Sequence, residues 1–308
     1  MTEFSISSPL EELSDPLFEA KGVRVFIKRD DMIHPFISGN KFRKLKYSLE
    51  KARALEQDHL VTFGGAYSNH LVATACAGAR FGFRTTGFVR GEPVLNNSLM
   101  LCRMFGMELQ FVSRERYREK EDLFAEHFGK DPAAFFIGEG GSGPEAVRGC
   151  SELAAELPRT FDHIFCAAGT GTTAAGIRTG LRASSSRSEL HVVPVLRDGS
   201  FVLDEISRYD DPSGIRLHTD YHFGGYAKTT PALLDFLVRF SGRTGILLDQ
   251  VYTGKMAYAA CDLIRSGCFP GGSTILLIHT GGLMGLLSQA EKILAAAGSP
   301  RDPGFPIL

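Results

Sequence analysis

Lys41 stands where a lysine side chain could perform covalent chemistry. It follows Ser-Gly-Asn at positions 38–40, which are good helix-start residues, so a helix predicted to reach about residue 51 places Lys41 in its first turn. The helix dipole adds partial positive charge at that end and disfavours a cation there. A desolvated lysine in this position would have a lowered pKa and could form a Schiff base with a carbonyl group. The alternative is a solvated basic helix face, because Arg43, Lys44 and Lys46 follow.

Ser68 and Asn69 form a second candidate binding position. They follow an apolar strand and the turn Gly64-Gly65, and they open an apolar helix. Either residue is a natural N-cap, and the N–H groups at the helix start could hold a carboxylate while the hydroxyl or amide contacts a ligand. Simple helix capping is the alternative.

A turn rich in glycine and threonine, between a buried strand and a helix, suits a phosphate group. The glycines allow close approach of the backbone, the threonines add hydroxyl donors, and the following helix offers its positive end. The turn also satisfies the G-x-G-x-x-A fingerprint of dinucleotide-binding proteins, with Asp198 where an acid would bind ribose. An NAD-dependent oxidoreductase is therefore a rival interpretation. The candidate phosphate-binding residues are Gly169, Thr170, Gly171, Thr172 and Thr173.

Two tyrosines and a threonine lie in or next to candidate glycine-containing loops. Tyr226 and Tyr252 could reach a ligand as hydrogen-bond donors or acids, although each could instead be a surface aromatic residue. Thr280 ends a buried-type strand and is aimed at the ligand-binding edge of a sheet. The sequence contains neither an H-E-x-x-H helix nor a G-x-S-x-G elbow, so no metal site and no hydrolase is predicted.

The elements that must position these residues follow from hydrophobic periodicity. Apolar runs such as residues 59–63 alternate with helix-period segments such as residues 70–81. This alternation predicts an α/β fold with two open, twisted parallel sheets and helices on both faces. The glycine-rich tract 138–143 suits a hinge. It predicts a smaller domain of residues 48–150 and a larger one of residues 1–47 and 151–308.

Composition excludes several classes of function. The 34 Lys and Arg residues nearly balance the 35 Asp and Glu residues, so no global field would attract nucleic acid or an anionic membrane surface. No apolar run approaches the ~20 residues of a bilayer span, and the start lacks an export signal. A cytoplasmic protein is therefore expected, and its six cysteines are expected to be buried free thiols.

Five motifs occur in a specific order along the chain. They are Ser-Gly-Asn-Lys-Phe-Arg-Lys-Leu from residue 38, Ser-Asn-His from residue 68, the turn 169–176, Val-Tyr-Thr-Gly-Lys from residue 251 and Ile-His-Thr-Gly-Gly from residue 278. Together they resemble the D-cysteine desulfhydrase and 1-aminocyclopropane-1-carboxylate (ACC) deaminase family, over about residues 10–290. That family belongs to the fold type II, tryptophan synthase β-like enzymes, which use pyridoxal 5′-phosphate (PLP).

The resemblance implies roles for the matching residues. Lys41 would be the Schiff-base lysine and the base that removes the α-proton. Asn69 would contact the phenolic oxygen of PLP, and Ser68 would contact the substrate. The turn 169–173 would bind the phosphate, while Tyr226 and Tyr252 match the two active-site tyrosines of the family. The resemblance also implies a homodimer that acts on a small amino acid.

Two threonines separate this sequence from the ACC deaminases, which carry Glu and Leu at the positions of Thr253 and Thr280. A carboxylate beside the pyridine nitrogen makes the ring a strong electron sink, which cyclopropane opening demands, whereas a hydroxyl offers only a hydrogen bond. Eliminating a thiol from the β-carbon needs less, so D-cysteine desulfhydrase activity giving pyruvate, ammonia and sulfide is expected. Tyr67 and Ser38 replace the common Gln and Gly of the family, and Tyr67 could admit another substrate.

Three alternatives stay open beside the oxidoreductase. The first is ACC deaminase activity, and the second is another lyase of β-substituted amino acids. The third is a catalytically silent PLP-binding protein, because fold does not guarantee activity. Lys41 and the two tyrosines favour an enzyme over the silent protein, and the oxidoreductase would leave Lys41 and Ser68 without a role.

Overall fold

The computed structural model describes residues 6–297, whose strands form two separate sheets. The strands are β1 (Leu10–Leu13), β2 (Arg24–Lys28), β3 (His59–Gly65), β4 (Arg84–Arg90), β5 (Glu108–Val112), β6 (Ala134–Ile137), β7 (His163–Ala168), β8 (Glu189–Pro194), β9 (Ile215–Leu217) and β10 (Thr274–Ile278). The helices are α1 (Pro16–Ala20), α2 (Asn40–Ala54), α3 (Asn69–Phe81), α4 (Asn97–Met104), α5 (Lys120–Phe128), α6 (Pro144–Ala155), α7 (Thr172–Ala183), α8 (Phe201–Ser207), α9 (Pro231–Thr244), α10 (Thr253–Arg265) and α11 (Ala290–Ala297).

The smaller of two compact units comprises residues 33–150, together with Ile6. Its four strands are all parallel, in the order β5-β4-β3-β6. The central strand β3 is buried from His59 to Gly64, because both of its neighbours are strands and both of its faces are covered. Phe63 stacks on Phe88 on one face, and Leu71 and Val72 of α3 belong to a second core cluster.

The larger unit comprises residues 7–32 and the described residues from 151 onward. Its six strands follow the order β1-β2-β10-β7-β8-β9, and all pairs are parallel except β1 with β2. Strand β10 is buried throughout its length, and Leu277 joins Phe165 in a core with Leu237 of α9 and Met256 of α10. The predicted fold class, parallel sheets with helices on both sides, is confirmed. The antiparallel edge strand β1 was not predicted.

The structure divides the chain differently from the sequence prediction near residue 47. Helix α2 runs without interruption from Asn40 to Ala54, so a boundary between residues 47 and 48 would cut it. Its apolar face, with Phe42, Leu45 and Leu49, joins the core of the smaller unit. Lys41 therefore belongs to the smaller unit and not to the larger one. Residues 1–5 and 298–308, which were assigned to the larger domain, lie outside the described residues.

Candidate active site

Helix α2 places Lys41 in its first turn, as the sequence predicted. The preceding cap residue Gly39 has φ of 60° and ψ of −135°, a backbone conformation for which glycine is suited. Lys41 is half-buried, and its Nζ donates to Oδ1 of Asn40 at 3.0 Å. Arg43 and Lys44 are buried. The alternative of a fully solvated basic face is therefore wrong.

His70 lies near Lys41 in the smaller unit and is fully buried. Thr62 Oγ1 donates its hydrogen to the carbonyl of Ile137, so His70 Nε2–H is the donor in the 2.8 Å contact with Thr62 Oγ1. Burial, followed by the positive charges of Lys41 and Lys44, holds the pKa of His70 well below its usual value. A neutral imidazole therefore lies beside the candidate lysine.

Ser68 is the N-cap of α3, and its Oγ accepts the backbone N–H of Leu71 at 3.3 Å. A Cβ at Gly64 would lie 2.7 Å from both Cβ and Oγ of Ser68, so only glycine permits this tight turn. Ser68 Oγ acts as acceptor in the cap, which leaves its own hydrogen available to a ligand. Asn69 begins the helix beside it, and Tyr67 is 57% exposed.

In the larger unit, the turn after β7 has the features of a phosphate cradle. Gly171 is the N-cap of α7 with φ of 90°, and no side chain among the described residues caps the helix. A Cβ at Gly171 would lie 3.1 Å from Glu205, and one at Gly169 would lie 3.0 Å from the Tyr252 ring. The turn is therefore kept open by glycine, and backbone donors are left for an anion.

The threonines of this turn are already ordered. Thr170 Oγ1 and Thr172 Oγ1 are 3.1 Å apart, and Thr172 Oγ1 donates to Glu205 at 3.4 Å. Thr172 and Thr173 are buried in the first turn of α7. The carboxylate of Glu205 is itself paired with Arg208 at 2.9 Å, so its negative charge near the turn is partly compensated.

Tyr226 and Tyr252 come together, although 26 positions separate them in sequence. Their ring centroids are 6.1 Å apart and their planes meet at 72°, an edge-to-face pair. Tyr252 is half-buried against the Gly169 turn, whereas Tyr226 is 45% exposed. Both phenols therefore lie in the larger unit with the candidate phosphate turn.

Lys255 fixes the loop that carries Tyr226, a role that the sequence did not predict. Its fully buried ammonium donates to the carbonyl oxygens of His222 and Gly225, each at 2.8 Å. Burial lowers the pKa of Lys255 to about 8, and the Asp249 carboxylate opposes that shift. The two backbone contacts hold the chain immediately before Tyr226.

Asp249 organises the turn that carries Tyr252 and Thr253. Its carboxylate accepts the backbone N–H groups of Val251, Tyr252 and Thr253 at 2.7–2.9 Å, together with the hydroxyl of Thr253 at 2.7 Å. The hydroxyl hydrogen of Thr253 is thus donated to Asp249, and Thr253 Oγ1 in turn accepts the N–H of Asp249. In this arrangement the hydroxyl of Thr253 joins the first turn of α10 to Asp249.

Thr280 is the other predicted threonine, and it lies just beyond the carboxyl end of β10. It is 8% exposed, and its Oγ1 makes no hydrogen bond to any other part of the chain that the structure describes. The preceding His279 donates from Nε2 to the carbonyl of Leu247 at 2.7 Å, which holds the strand end in place. Among the described residues, the hydroxyl hydrogen of Thr280 is therefore available to a ligand, whereas that of Thr253 is donated to Asp249.

Comparison with known proteins decides the family. The profile of the pyridoxal-phosphate dependent enzyme family matches residues 4–281. The chain belongs to this family. Within the PLP-dependent enzymes, it is 32% identical to a putative ACC deaminase from Pyrococcus horikoshii, with 89% of each chain covered. It is also 32% identical to a bifunctional D-cysteine desulfhydrase/ACC deaminase from Arabidopsis thaliana, with 90% of this chain and 77% of the relative covered.

Other PLP-dependent enzymes support the same assignment. A D-cysteine desulfhydrase from Serratia proteamaculans is 26% identical over 93% of this chain and 94% of the relative. The crystal structure of an ACC deaminase homologue matches with a TM-score of 0.85 and 29% identity, covering 95% and 94% of the two chains. The predictions of PLP as cofactor and of fold type II are confirmed, and the dinucleotide interpretation of the Gly169 turn is wrong.

Within the smaller unit, Lys41 offers a half-buried amine of the kind that could hold the aldehyde of PLP. Within the larger unit, the helix start at Gly171, where a Cβ would crowd the space, suits the phosphate of PLP. Asp198, the predicted ribose acid, instead accepts the N–H and hydroxyl of Ser200 within its own turn. Among residues 6–297, no helix is both long and apolar enough to cross a membrane.

Proposed function

We propose that this PLP-dependent enzyme eliminates sulfide from D-cysteine. D-Cysteine and one water would give pyruvate, ammonia and hydrogen sulfide, with cleavage of the Cβ–S bond and loss of the α-proton. Thr253 and Thr280 carry this proposal. The ACC deaminases resemble one another in having Glu and Leu at these two positions, so this chain has two neutral hydroxyls and no carboxylate where family resemblance puts the pyridine ring. The names of the Arabidopsis and Serratia relatives support a desulfhydrase.

ACC deamination is the second candidate. The relatives from Pyrococcus and Thermotoga, at 30–32% identity, are named as putative ACC deaminases.

A homodimer in the cytoplasm remains the expectation from the sequence.

When bound, PLP would supply an electron sink that stabilises negative charge at the substrate α-carbon. Lys41 would be its covalent attachment point in the resting enzyme. The Lys41 amine, when it does not hold the cofactor, would accept the α-proton of the substrate. Because His70 is neutral, it adds no positive charge next to the Lys41 amine.

Ser68 and Asn69 would bind the substrate. The hydroxyl hydrogen of Ser68 and the uncommitted N–H groups at the start of α3 are suited to a carboxylate. On the other unit, the backbone N–H groups at the start of α7 would hold the phosphate, with Thr170, Thr172 and Thr173 as supporting donors. Thr280 would donate to the pyridine nitrogen.

Tyr226 and Tyr252 would orient the substrate and supply a proton to the departing sulfur. Their edge-to-face packing keeps the two hydroxyl groups in one region of the larger unit. Lys255 and Asp249 act indirectly, since each fixes the backbone that carries one of these tyrosines.

A substrate panel tests the proposed reaction. We expect D-cysteine to give equal amounts of pyruvate, ammonia and sulfide, and we expect ACC to release ammonia at least tenfold more slowly. L-Cysteine, D-serine and cysteate, assayed at the same concentration, define the preferred stereochemistry and leaving group. Ammonia from ACC at a rate comparable with D-cysteine would contradict the assignment based on Thr253 and Thr280 and would establish the second candidate.

The two threonines should respond differently to the same substitution. We expect Thr280→Val to lower kcat about tenfold, as for the loss of one hydrogen bond, and to leave the melting temperature nearly unchanged. We expect Thr253→Val to reduce the free energy of unfolding by about 1–3 kcal/mol, because it removes a buried donor from Asp249 and an acceptor from the Asp249 N–H. Thermal melts and steady-state rates of both variants, measured together, would show whether the roles are reversed.

A further inference from the structure

Three metal-ligating side chains converge at the amino ends of β7 and β8, outside the candidate active site. His163 Nδ1 lies 3.1 Å from His191 Nε2 and 3.4 Å from Glu189 Oε2, and the latter two atoms are 3.1 Å apart. One ligand atom from each of these three residues lies within 4.8 Å of the other two. From this geometry we propose that His163, Glu189 and His191 bind a zinc ion.

The three distances match a tetrahedral zinc site. With Zn–N and Zn–O bonds of about 2.0–2.1 Å, ligand atoms at the corners of a tetrahedron are about 3.3 Å apart. The three edges of this triangle, 3.1, 3.4 and 3.1 Å, lie within about 0.2 Å of that value. Two imidazoles and a carboxylate are also the ligand set that zinc accepts, with a fourth position for water.

Hydrogen bonds alone cannot account for all three contacts among these ligand atoms. Glu189 is ionised, since its other oxygen Oε1 accepts from Arg216 Nε at 2.6 Å, so Oε2 is an acceptor only. Both imidazole nitrogens would then need a hydrogen to contact Oε2, and the two N–H groups would face each other at 3.1 Å. If one of the two imidazole nitrogens carried no hydrogen, its lone pair would face a lone pair of Glu189 Oε2. A cation among the three atoms satisfies all three contacts.

The strands fix the ligands before any metal arrives. His163 of β7 pairs in register with Glu189 of β8, and His191 is two residues further along β8, on the same face of the sheet. The Nδ1 atom of His191 contacts Nε2 of His218 at 2.9 Å, so a metal-bound Nε2 would leave Nδ1–H to donate to His218. Ligands held by strands and supported in this way keep their geometry.

The site is accessible to ions but remote from the chemistry. The side chains of His163 and Glu189 are 16% and 30% exposed, so a metal can enter from solvent. Strand β7 runs from His163 to Ala168, and roughly 20 Å of extended chain separates His163 from Gly169. We therefore assign the zinc ion no part in the PLP chemistry; it would join β7 to β8. The sequence predicted no metal site, because these ligands lie on different strands.

Zinc titration of the PLP-loaded enzyme tests the proposal. After dialysis against a chelator and then against chelator-free buffer, calorimetry with Zn²⁺ should show one saturable site per chain, and added Zn²⁺ should raise the melting temperature by mass action. His163→Ala and Glu189→Gln should each weaken the affinity at least 100-fold. His218→Phe, which keeps an aromatic ring, should weaken it about 10–100-fold.

His127→Ala is the matched control, since this exposed histidine of α5 belongs to the smaller unit. It should leave both the affinity and the zinc-dependent melting shift unchanged. Glu189→Gln preserves the shape of the side chain, so it keeps the test valid if His163→Ala fails to fold. The proposal is overturned if wild-type protein shows no saturable site, or if Glu189→Gln binds zinc as tightly as wild type.

Discussion

The Lys41→Ala variant is expected to lose elimination activity by at least about 10²–10⁴-fold, the usual contribution of a positioned acid or base. Borohydride, which fixes PLP to wild-type protein, should leave no labelled peptide in this variant. The physical reason is that the Lys41 amine serves twice, as the attachment point for the cofactor and as the acceptor of the α-proton. Peptide mapping after borohydride treatment and steady-state rates with D-cysteine provide the two measurements.

Two controls separate this effect from a loss of structure. Lys46→Ala removes a basic residue of the same helix, and it should keep both the label and most of the activity. Added methylamine should restore part of the rate of Lys41→Ala, because a small amine can accept the proton in place of the side chain. Borohydride labelling of another lysine in wild-type protein would refute the assignment of Lys41.

Gly149→Ala is expected to cause the largest loss of stability. A Cβ at Gly149 of α6 would lie 1.8 Å from the carbonyl oxygen of Arg43 and 2.7 Å from its carbonyl carbon, both backbone atoms of α2. The two helices would have to separate by about 1.5 Å to restore an ordinary contact. We expect the free energy of unfolding to fall by about 3 kcal/mol or more. Denaturant unfolding of the purified variant measures this change.

The same substitution at Gly242 provides a matched control. Gly242 also lies within a helix, α9, but a Cβ there would meet nothing within 4 Å. Gly242→Ala should therefore leave stability unchanged or raise it by about 0.5–1 kcal/mol, because alanine loses less backbone freedom than glycine. Equal stability of the two variants would show that α2 and α6 do not pack as closely as described.

The contact at Gly149 also bears on catalysis. Arg43 is two residues beyond Lys41 on α2, so a helix displaced by a new methyl group would carry the lysine with it. Gly149→Ala should accordingly lower kcat even under conditions in which it is folded, whereas Gly242→Ala should not.

Local pattern predicted much of this fold. The predicted helix 70–81 begins at Asn69 in the structure, and Ser68 is its N-cap as expected. The predicted strand 59–63 extends to Gly65. These elements are readable because a buried parallel strand is an unbroken apolar run, and because glycine and a capping residue mark the turn that follows.

The residues whose roles the sequence pattern did not predict have partners far away along the chain. Lys255 lies on a helix of mostly apolar residues, and the carbonyl groups that bind it are 33 and 30 positions away. The role of Thr253 was partly visible, since Asp249 stands four residues earlier and a carboxylate at that spacing can cap a helix. The family resemblance assigns Thr253 to the cofactor, whereas the structure shows its hydroxyl bound to Asp249.

The six cysteine thiols of the chain are unequally accessible, contrary to the expectation that all would be buried. Five cysteines are buried, and burial raises the pKa of Cys102 and Cys261 to about 12, so these two remain protonated at neutral pH. Only Cys268, in the turn between α10 and β10, is exposed. A maleimide dye would therefore attach to the native enzyme at a single position, and fluorescence studies could begin without first engineering away any thiol.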